Sequence, residues 1–267
     1  ITWNPDFSTA AINQIIDLNA SASSNLPVTY AVSDTSKAEL AVTLQSNLDS
    51  WWRLDETGAT TITDSSGSGS SSHTAVLIGS DGSSNWSAGK FGNALTLDGT
   101  NDYAFTSGYK GITGSNRRTI SAWFKINSSA SVNQIIDYGT MESGKRFNIQ
   151  ISTAGVASVN FGGSSSADTI SGGSNLNDGN WHHVAVTVPH NGNSGGVKLY
   201  VDGSATSGSG SISINTTATN DLLIGKNRHT NTYFSGQLDD IRLYNAELNA
   251  STIAKVYGSG TGDFNRL

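Results

Sequence analysis

The chain of 267 residues has no cysteine, three prolines and one methionine, and only 13% of it is charged. Without cysteine there is no disulfide, no thiol chemistry and no cysteine-ligated zinc, so any staple beyond apolar burial has to be a hard cation held by oxygen. No apolar run approaches the roughly 18 residues of a membrane-spanning helix. The N-terminus also lacks a charged segment followed by an apolar core, and a chain that starts at Ile1 is expected to be a processed product or an excised fragment. Basic charge is scarce: 15 Lys and Arg are scattered among 21 Asp and Glu, for a net charge of −6. That distribution offers no footprint for a phosphate backbone and argues against nucleic acid as a partner.

What is abundant is Ser, Thr, Asn and Gly, a composition that favours turns and strand ends over helices. From Trp51 onward, short apolar runs recur between clusters of these residues: "WWRL", "TAVLI", "ALTL", "TISAWFKI", "NQIIDY", "RFNIQI", "VASVNF", "WHHVAVTV", "VKLYVDG", "DLLIG" and "GQLDDIRLY". This spacing predicts an all-β, two-sheet antiparallel sandwich or jelly roll. In "NWHHVAVTV" strict alternation sends Trp181, His183, Ala185 and Thr187 to one face and His182, Val184, Val186 and Val188 to the other. Both faces are partly apolar, so the segment reads as a central strand. The two adjacent histidines then point opposite ways and cannot share one metal ion.

One short C-terminal helix is expected in "LNASTIAKVYG", with Asn249 or Ser251 as N-cap, Ile253, Val256 and Tyr257 on one face and Gly258 as the stop. Asp202-Gly203 reads as a hairpin turn. Residues 1–48 differ in texture: a hairpin signal runs through Ile16–Ala20 and Val28–Val32, and "AELAVT" suggests one more strand. The Gly/Ser stretch from Ser65 to His73 reads as a loop within the main domain. The expected organisation is a small N-terminal β segment over 1–48, a jelly-roll domain over 49–260 and an exit segment over 261–267.

The motifs "WWRLDETGATTITDSSGSG", "FGNALTLDGTNDYA", "TISAWFKI", "DGNWHHVAVTV", "LYVDG" and "FSGQLDDIRLYNAELNASTIAKVY", in that order, resemble the laminin G-like (LamG, pentraxin/concanavalin A-like) jelly-roll family over about residues 49 to 258. The stretch "LNASASSNLPVTYAVSD" resembles part of an immunoglobulin-like repeat common in large bacterial surface proteins. The first resemblance implies a calcium ion held by loop carboxylates, amides and carbonyls. Its candidate ligands are Asp64, Asp98, Asp102 and Asp239, with Asp55, Glu56 and Asp240 also at motif positions. First and last strands of a jelly roll are commonly neighbours, which would bring Asp64 close to Asp239 or Asp240; Asp239 is the one expected to face the first strand. The competing reading makes Asp98-Gly99 a turn and Asp64 an Asx-turn residue, both satisfied by backbone amides.

Catalysis has little footing. Related glucanases carry a Glu-X-Asp-X-X-Glu pattern on one strand, which is absent here. "RLDETG" and "QLDDIR" hold adjacent acids, and an extended backbone sends adjacent side chains to opposite faces. There is no Gly-X-Ser-X-Gly elbow. The expectation is a non-enzymatic, extracellular recognition or adhesion module, calcium-stabilised, with a glycan or an extracellular protein as partner. Loop aromatics Trp86, Tyr109 and Tyr233 are the candidate sugar-stacking residues, while Trp123 and Trp181 sit within strands and are expected in the core. The alternative is a structural subunit of a fibre that self-associates by strand addition through the N-terminal strands. A polysaccharide hydrolase is the third reading.

Overall fold

The computed structural model describes residues 2–4, 19–21, 47–67, 73–79, 85–127, 131–163 and 166–258. The chain divides into two compact units, residues 1–46 with 258–267 and residues 47–257. In the first unit β1 (Thr2–Asn4) pairs antiparallel with β2 (Asn19–Ser21). The expected strands around Val28–Val32 and in "AELAVT", and the exit segment, lie outside the described residues, as does most of the immunoglobulin-like stretch.

The second unit is a sandwich of two eight-stranded sheets. One runs in the order β16 (Ser204–Ser207), β15 (Lys198–Val201), β14 (Trp181–Val188), β9 (Arg118–Lys125), β18 (Ser235–Tyr244), β7 (Asn93–Asp98) and β6 (Trp86–Ala88), with β3 (Leu48–Trp52) also hydrogen-bonded to β18. The other runs β13 (Thr169–Gly172), β12 (Ala157–Asn160), β11 (Arg146–Ile151), β10 (Asn133–Gly139), β17 (Leu223–Ile224), β8 (Tyr103–Phe105), β5 (Ala75–Ile78) and β4 (Thr61–Ile62). The all-β jelly-roll expectation is met, including the central position of β14 between β15 and β9.

Alternation decides which side chains fill the space between the sheets. In the second sheet a single row of paired residues, Ala104, Ile224, Ile136, Ile149, Val159 and Ile170, faces inward across six strands. Trp52, Leu95, Leu97, Ile120, Phe124, Val184, Val186, Leu238, Ile241 and Leu243 meet it from the first sheet. Each such aliphatic or aromatic side chain contributes about 1.5–3 kcal/mol by leaving water, which a chain without disulfides needs from its core.

The first sheet also has a buried outer face, because helix α1 (Ala250–Gly258) covers part of it. Asn249 caps this helix: its Oδ1 accepts the Thr252 N–H at 2.9 Å. Ile253 and Val256 are buried, and the Tyr257 ring stacks on Trp123 with centroids 5.6 Å apart and lies 5.8 Å from His183. The expected Asp202-Gly203 turn joins β15 to β16, with φ values of 48° and 80° that suit a tight hairpin.

Strict alternation fails at one place in β18. Asp240 has φ 53°, and pairing with β9 jumps from Asp239–Trp123 to Arg242–Ser121. This is a β-bulge, with one extra residue on β18. Leu238, Ile241 and Leu243 all face the core, so the bulge re-phases the strand after Asp239. The two adjacent acids are therefore not divided between the core and the outer face as an extended strand would divide them. Asp239 is buried, and its Oδ2 accepts the Phe91 N–H at 2.8 Å, while the Phe91 ring meets Trp123 edge-on. Asp240 Oδ1 accepts Trp51 Nε1–H at 2.7 Å, and Asp240 pairs with Arg242 at 3.0 Å. Burial alone would pull the Arg242 guanidinium down; the Asp240 carboxylate and Tyr244 outweigh it and hold the group well above its ordinary value.

Arg242 is buried beside Asp240, so removing the acid leaves a charge with little solvent. Asp240→Asn keeps a residue that tolerates the left-handed backbone and is expected to cost about 3 kcal/mol. Urea unfolding would register this as a lower midpoint at unchanged slope, and an unaltered midpoint would contradict it.

Candidate functional site

The carboxylates picked out from the sequence are each engaged within the chain. Asp64 Oδ1 accepts the backbone N–H groups of Trp51 and Ser66, both at 2.9 Å, and its Oδ2 accepts that of His73 at 2.9 Å. Asp98 Oδ1 accepts Thr100 N–H at 2.7 Å in an Asx turn, and buried Asp102 accepts Asn85 Nδ2–H at 2.9 Å. Asp55 and Glu56 receive the N–H groups of Asn93 and Thr63 at 3.1 and 2.8 Å. The first and last strands of the sandwich do lie side by side, and Trp51 bridges Asp64 and Asp240 through its backbone and indole N–H groups. The acid that meets the first strand is thus Asp240 rather than Asp239, because the bulge turns it there. Among the described residues no group of three or more His, Asp or Glu is arranged to hold a metal ion. The N–H donors take up part of the accepting capacity of these acids and account for their placement without an ion.

The three candidate aromatics part company. Trp86 lies on β6, half-buried against the core, and donates its indole N–H to Ala59 O at 3.0 Å. Tyr109 also packs against the core, stacks on His73 with centroids 3.6 Å apart and donates its hydroxyl to Asp49. Burial, reinforced by the Asp49 charge, pushes that hydroxyl well above its ordinary value. Tyr233 joins a second half-buried aromatic: its ring centroid is 6.1 Å from that of Tyr103.

Tyr103 belongs to the outer face of the second sheet. There a row of directly paired residues, Thr61, Val76, Phe105, Leu223, Asp137, Asn148, Asn160 and Thr169, crosses all eight strands. Paired residues share a face, so this row is apolar at one end and polar at the other. The polar half is covered. Asp137 is buried, accepts Arg146 Nε and Nη2 at 2.8 Å each, and also accepts the backbone N–H of Arg228 at 2.9 Å, which fastens the 226–233 loop over it. Within that loop Asn227 Oδ1 accepts the N–H groups of His229 and Thr230, and Asn227 N–H donates to Thr232 O at 2.9 Å.

The apolar half is open only in part, since Leu223 in it is buried and Phe105 half-buried. Val76 and Ile78 are exposed there, and Ile78 pairs with Tyr103. Between the covered and open halves runs a cleft of about 320 Å³ lined by Tyr103, Phe105, Lys110, Thr219, Asn220, Asp221, Leu223 and Arg228. Lys110 pairs with Asp221, and Arg228 Nη2–H donates to Asp221 O at 2.6 Å. Aromatic and aliphatic side chains thus form one wall, and donors and acceptors the other, a combination suited to a ligand with apolar faces and hydroxyl edges.

Comparison with protein families matches residues 98–254, more than half of the 267, to the model described as the concanavalin A-like lectin/glucanases superfamily (Laminin_G_3). The chain belongs to this superfamily. Comparison of the lectin/glucanase-superfamily chain with functionally curated proteins gave no match. Among solved structures it is similar to domain 4 of AbnA, a GH43 extracellular arabinanase from Geobacillus stearothermophilus, in complex with arabinotriose. The TM-score is 0.58 at 21% identity, over 79% of this chain and 98% of that one. It is also similar to Trypanosoma rangeli sialidase in complex with sialic acid (TM-score 0.54, 16% identity, 80% of this chain and 33% of that one). The Botulinum neurotoxin serotype D ligand binding domain in complex with N-acetylneuraminic acid is a third (TM-score 0.54, 16% identity, 82% and 52%). At these identities the likeness is one of fold, and the superfamily domain corresponds to only part of the sialidase and of the toxin domain.

Sequence reading missed Tyr103, Phe105, Val76, Ile78 and Leu223. The alternation in "YAF" carries a signal for Tyr103 and Phe105, but "TAVLI" is apolar on both faces and does not say which face is open. Lys110, Asp221 and Arg228 reach the cleft from separate loops, which no local pattern announces.

The adjacent histidines of β14 do point to opposite faces, and their environments differ. His182 is held between carboxylates, Nδ1 at 2.7 Å from Asp202 and Nε2 at 3.1 Å from Asp178, so both nitrogens must carry protons. Burial pulls its pKa down, but the hydrogen bonds to Asp202 and Asp178 outweigh it and leave it raised. Asp178, bonded by the Asn180 N–H first and by His182 too, is lowered to about 2. His183, buried between Trp123 and Tyr257, is lowered to about 4, chiefly by burial; the nearby Asp240 and Asp202 charges do not offset that.

Two expectations follow from these environments. For His183 the folded value lies below the unfolded one, so its contribution is complete above about pH 6.5 and is lost as pH falls toward the folded value, by roughly 3 kcal/mol. For His182 the sign is opposite, with a contribution complete below the ordinary value and lost as pH rises through the raised one. Denaturant titrations from pH 8 to 4 on His183→Phe should show a shallower acid loss than the parent, and on His182→Gln a smaller gain on leaving alkaline pH; identical profiles would contradict both. Thermal melting in calcium and then in chelator tests the expected ion: a tightly bound ion raises the midpoint in calcium, and an unchanged midpoint would contradict it.

Proposed function

We propose that the chain is a non-catalytic glycan-recognition module of an extracellular protein, and that it holds an oligosaccharide in the cleft beside Tyr103, Phe105 and Leu223. The observation that carries this reading is that cleft, where an open aromatic and aliphatic strip on the sheet face meets a wall of amide, hydroxyl and charged groups. Sugar rings present apolar C–H faces and hydroxyl edges, and the two walls answer to both. A larger hollow of about 750 Å³, lined by Asn47, Asp49, Asn116, Arg117, His190 and Asn245 among others, has no Trp, Tyr or Phe among its described lining residues and offers no such stacking surface.

Recognition without turnover is supported by the acids. Glycoside hydrolysis ordinarily uses two carboxyl groups facing each other across the bond. Among the described lining residues the cleft has Asp221 alone, and Lys110 occupies it. The glycan complexes of the similar structures, and the extracellular setting of the arabinanase, favour the same reading.

Calorimetry or pull-down against a panel of plant and animal oligosaccharides tests it. Tyr103→Ala and Phe105→Ala should each weaken binding about fivefold, the equivalent of about 1 kcal/mol for one lost ring contact, at an unchanged melting temperature. Full affinity in the double variant would place the site elsewhere, and absence of binding to every glycan would reject the reading.

A further inference from the structure

The stem of the 226–233 loop carries a charge that meets aromatic rings but no carboxylate among the described residues. Lys226 and Tyr233 face each other across an isolated β-bridge, and the Lys226 ammonium sits 4.2 Å from the Tyr103 ring centroid and 5.1 Å from that of Tyr233. None of the ion pairs among the described residues involves Lys226 or Arg228. The two nearby carboxylates are taken, Asp221 by Lys110 and Asp137 by Arg146. Arg228 reaches only the Asp221 carbonyl with Nη2, and its buried Nε has no hydrogen-bond partner among the described residues. Among the described residues, Arg228 in the cleft lining and Lys226 beside Tyr103 are thus left without a carboxylate partner, in a chain whose net charge is −6. The neighbouring His229 is lowered by burial first, then by the Arg146 charge against the pull of Asp137, with a smaller lowering from Arg228.

We infer that the oligosaccharide taken by this cleft carries an anionic group, a sugar carboxylate or a sulfate ester, seated at Lys226 and Arg228. The inference rests on the glycan reading above and narrows it. A neutral ring laid against these groups would strip water from two unbalanced charges without replacing it, whereas an anion balances them and gains charge-assisted hydrogen bonds. The Tyr103–Tyr233 pair supplies the apolar contact for the ring that bears the anion, so charge and stacking act on one residue of the ligand.

The test uses the full chain and pairs of sugars matched apart from the anionic group: digalacturonate against its methyl ester, sialyllactose against its methyl ester, and a sulfated galactose disaccharide against the unsulfated one. At low salt at least one charged member should bind about tenfold more tightly than its neutral partner, and the gap should narrow as salt rises. A preference in the carboxylated pairs or in the sulfated pair supports the inference equally and says which anion is read. Lys226→Gln should close most of the gap and Lys226→Arg should keep it, each with a melting temperature close to that of the parent. Neutral sugars binding as well as charged ones would overturn the inference and leave glycan recognition standing, as would a gap untouched by Lys226→Gln. Failure of every sugar to bind would overturn both.

Discussion

One strand carries the sandwich. Along one edge Ser235–Tyr244 pairs with β9; along the other it pairs first with β7, through residues 235–238, and then with β3, through residues 241–244. The bulge at Asp240 sits where one neighbour gives way to the next. Without the extra residue the second half of the strand would present Arg242 and Tyr244 to the core and Ile241 and Leu243 to the outside. Closure of the first strand of the domain against the last, the inward apolar row and the buried ion pair on the outer face all depend on that single change of phase. It is specified by a residue type that tolerates positive φ and is held by a carboxylate with two partners.

The two sheets use their outer faces differently. That of the first is sealed in part by α1, whose Tyr257 lies on Trp123, so a second, smaller apolar layer forms there. On that of the second a loop is fastened over the polar half at Asp137, and in the apolar half Val76 and Ile78 are left to solvent. Apolar side chains left exposed along a strand lower stability and invite association unless something binds them. Two of the exposed apolar side chains among the described residues, Val76 and Ile78, thus lie on the same face as the cleft.

Much of the architecture could be read from period-two patterning and turn residues. The strands carrying the inward row were visible as short apolar runs between turn clusters, and the helix because Asn249 and Gly258 bracket an apolar face. Asp239 and Asp240 were misjudged for a definite reason: alternation holds only while both strands advance in step, and a bulge leaves no mark in "QLDDIRLY" beyond an acid that accepts left-handed backbone. Tyr233 could be named from its loop context. Its neighbour Tyr103 could not, since "DYAFT" gives the same reading whether its aromatics face a covering loop or open solvent. The cleft's charges come together from positions more than a hundred residues apart, Lys110 with Asp221 being the clearest case, and contact of that kind is settled by topology.

The fastening at Asp137 uses the backbone N–H of Arg228, a group that every amino acid except proline supplies. The carboxylate therefore places the loop without dictating what its side chains are. Lys226, Arg228 and Tyr233 could be exchanged for other residues while the anchor, its Arg146 counter-ion and the core row beneath stayed intact. Such a scaffold separates the work of standing up from the work of choosing a ligand, and a new preference could be written into one short hairpin without renegotiating the sheet that supports it.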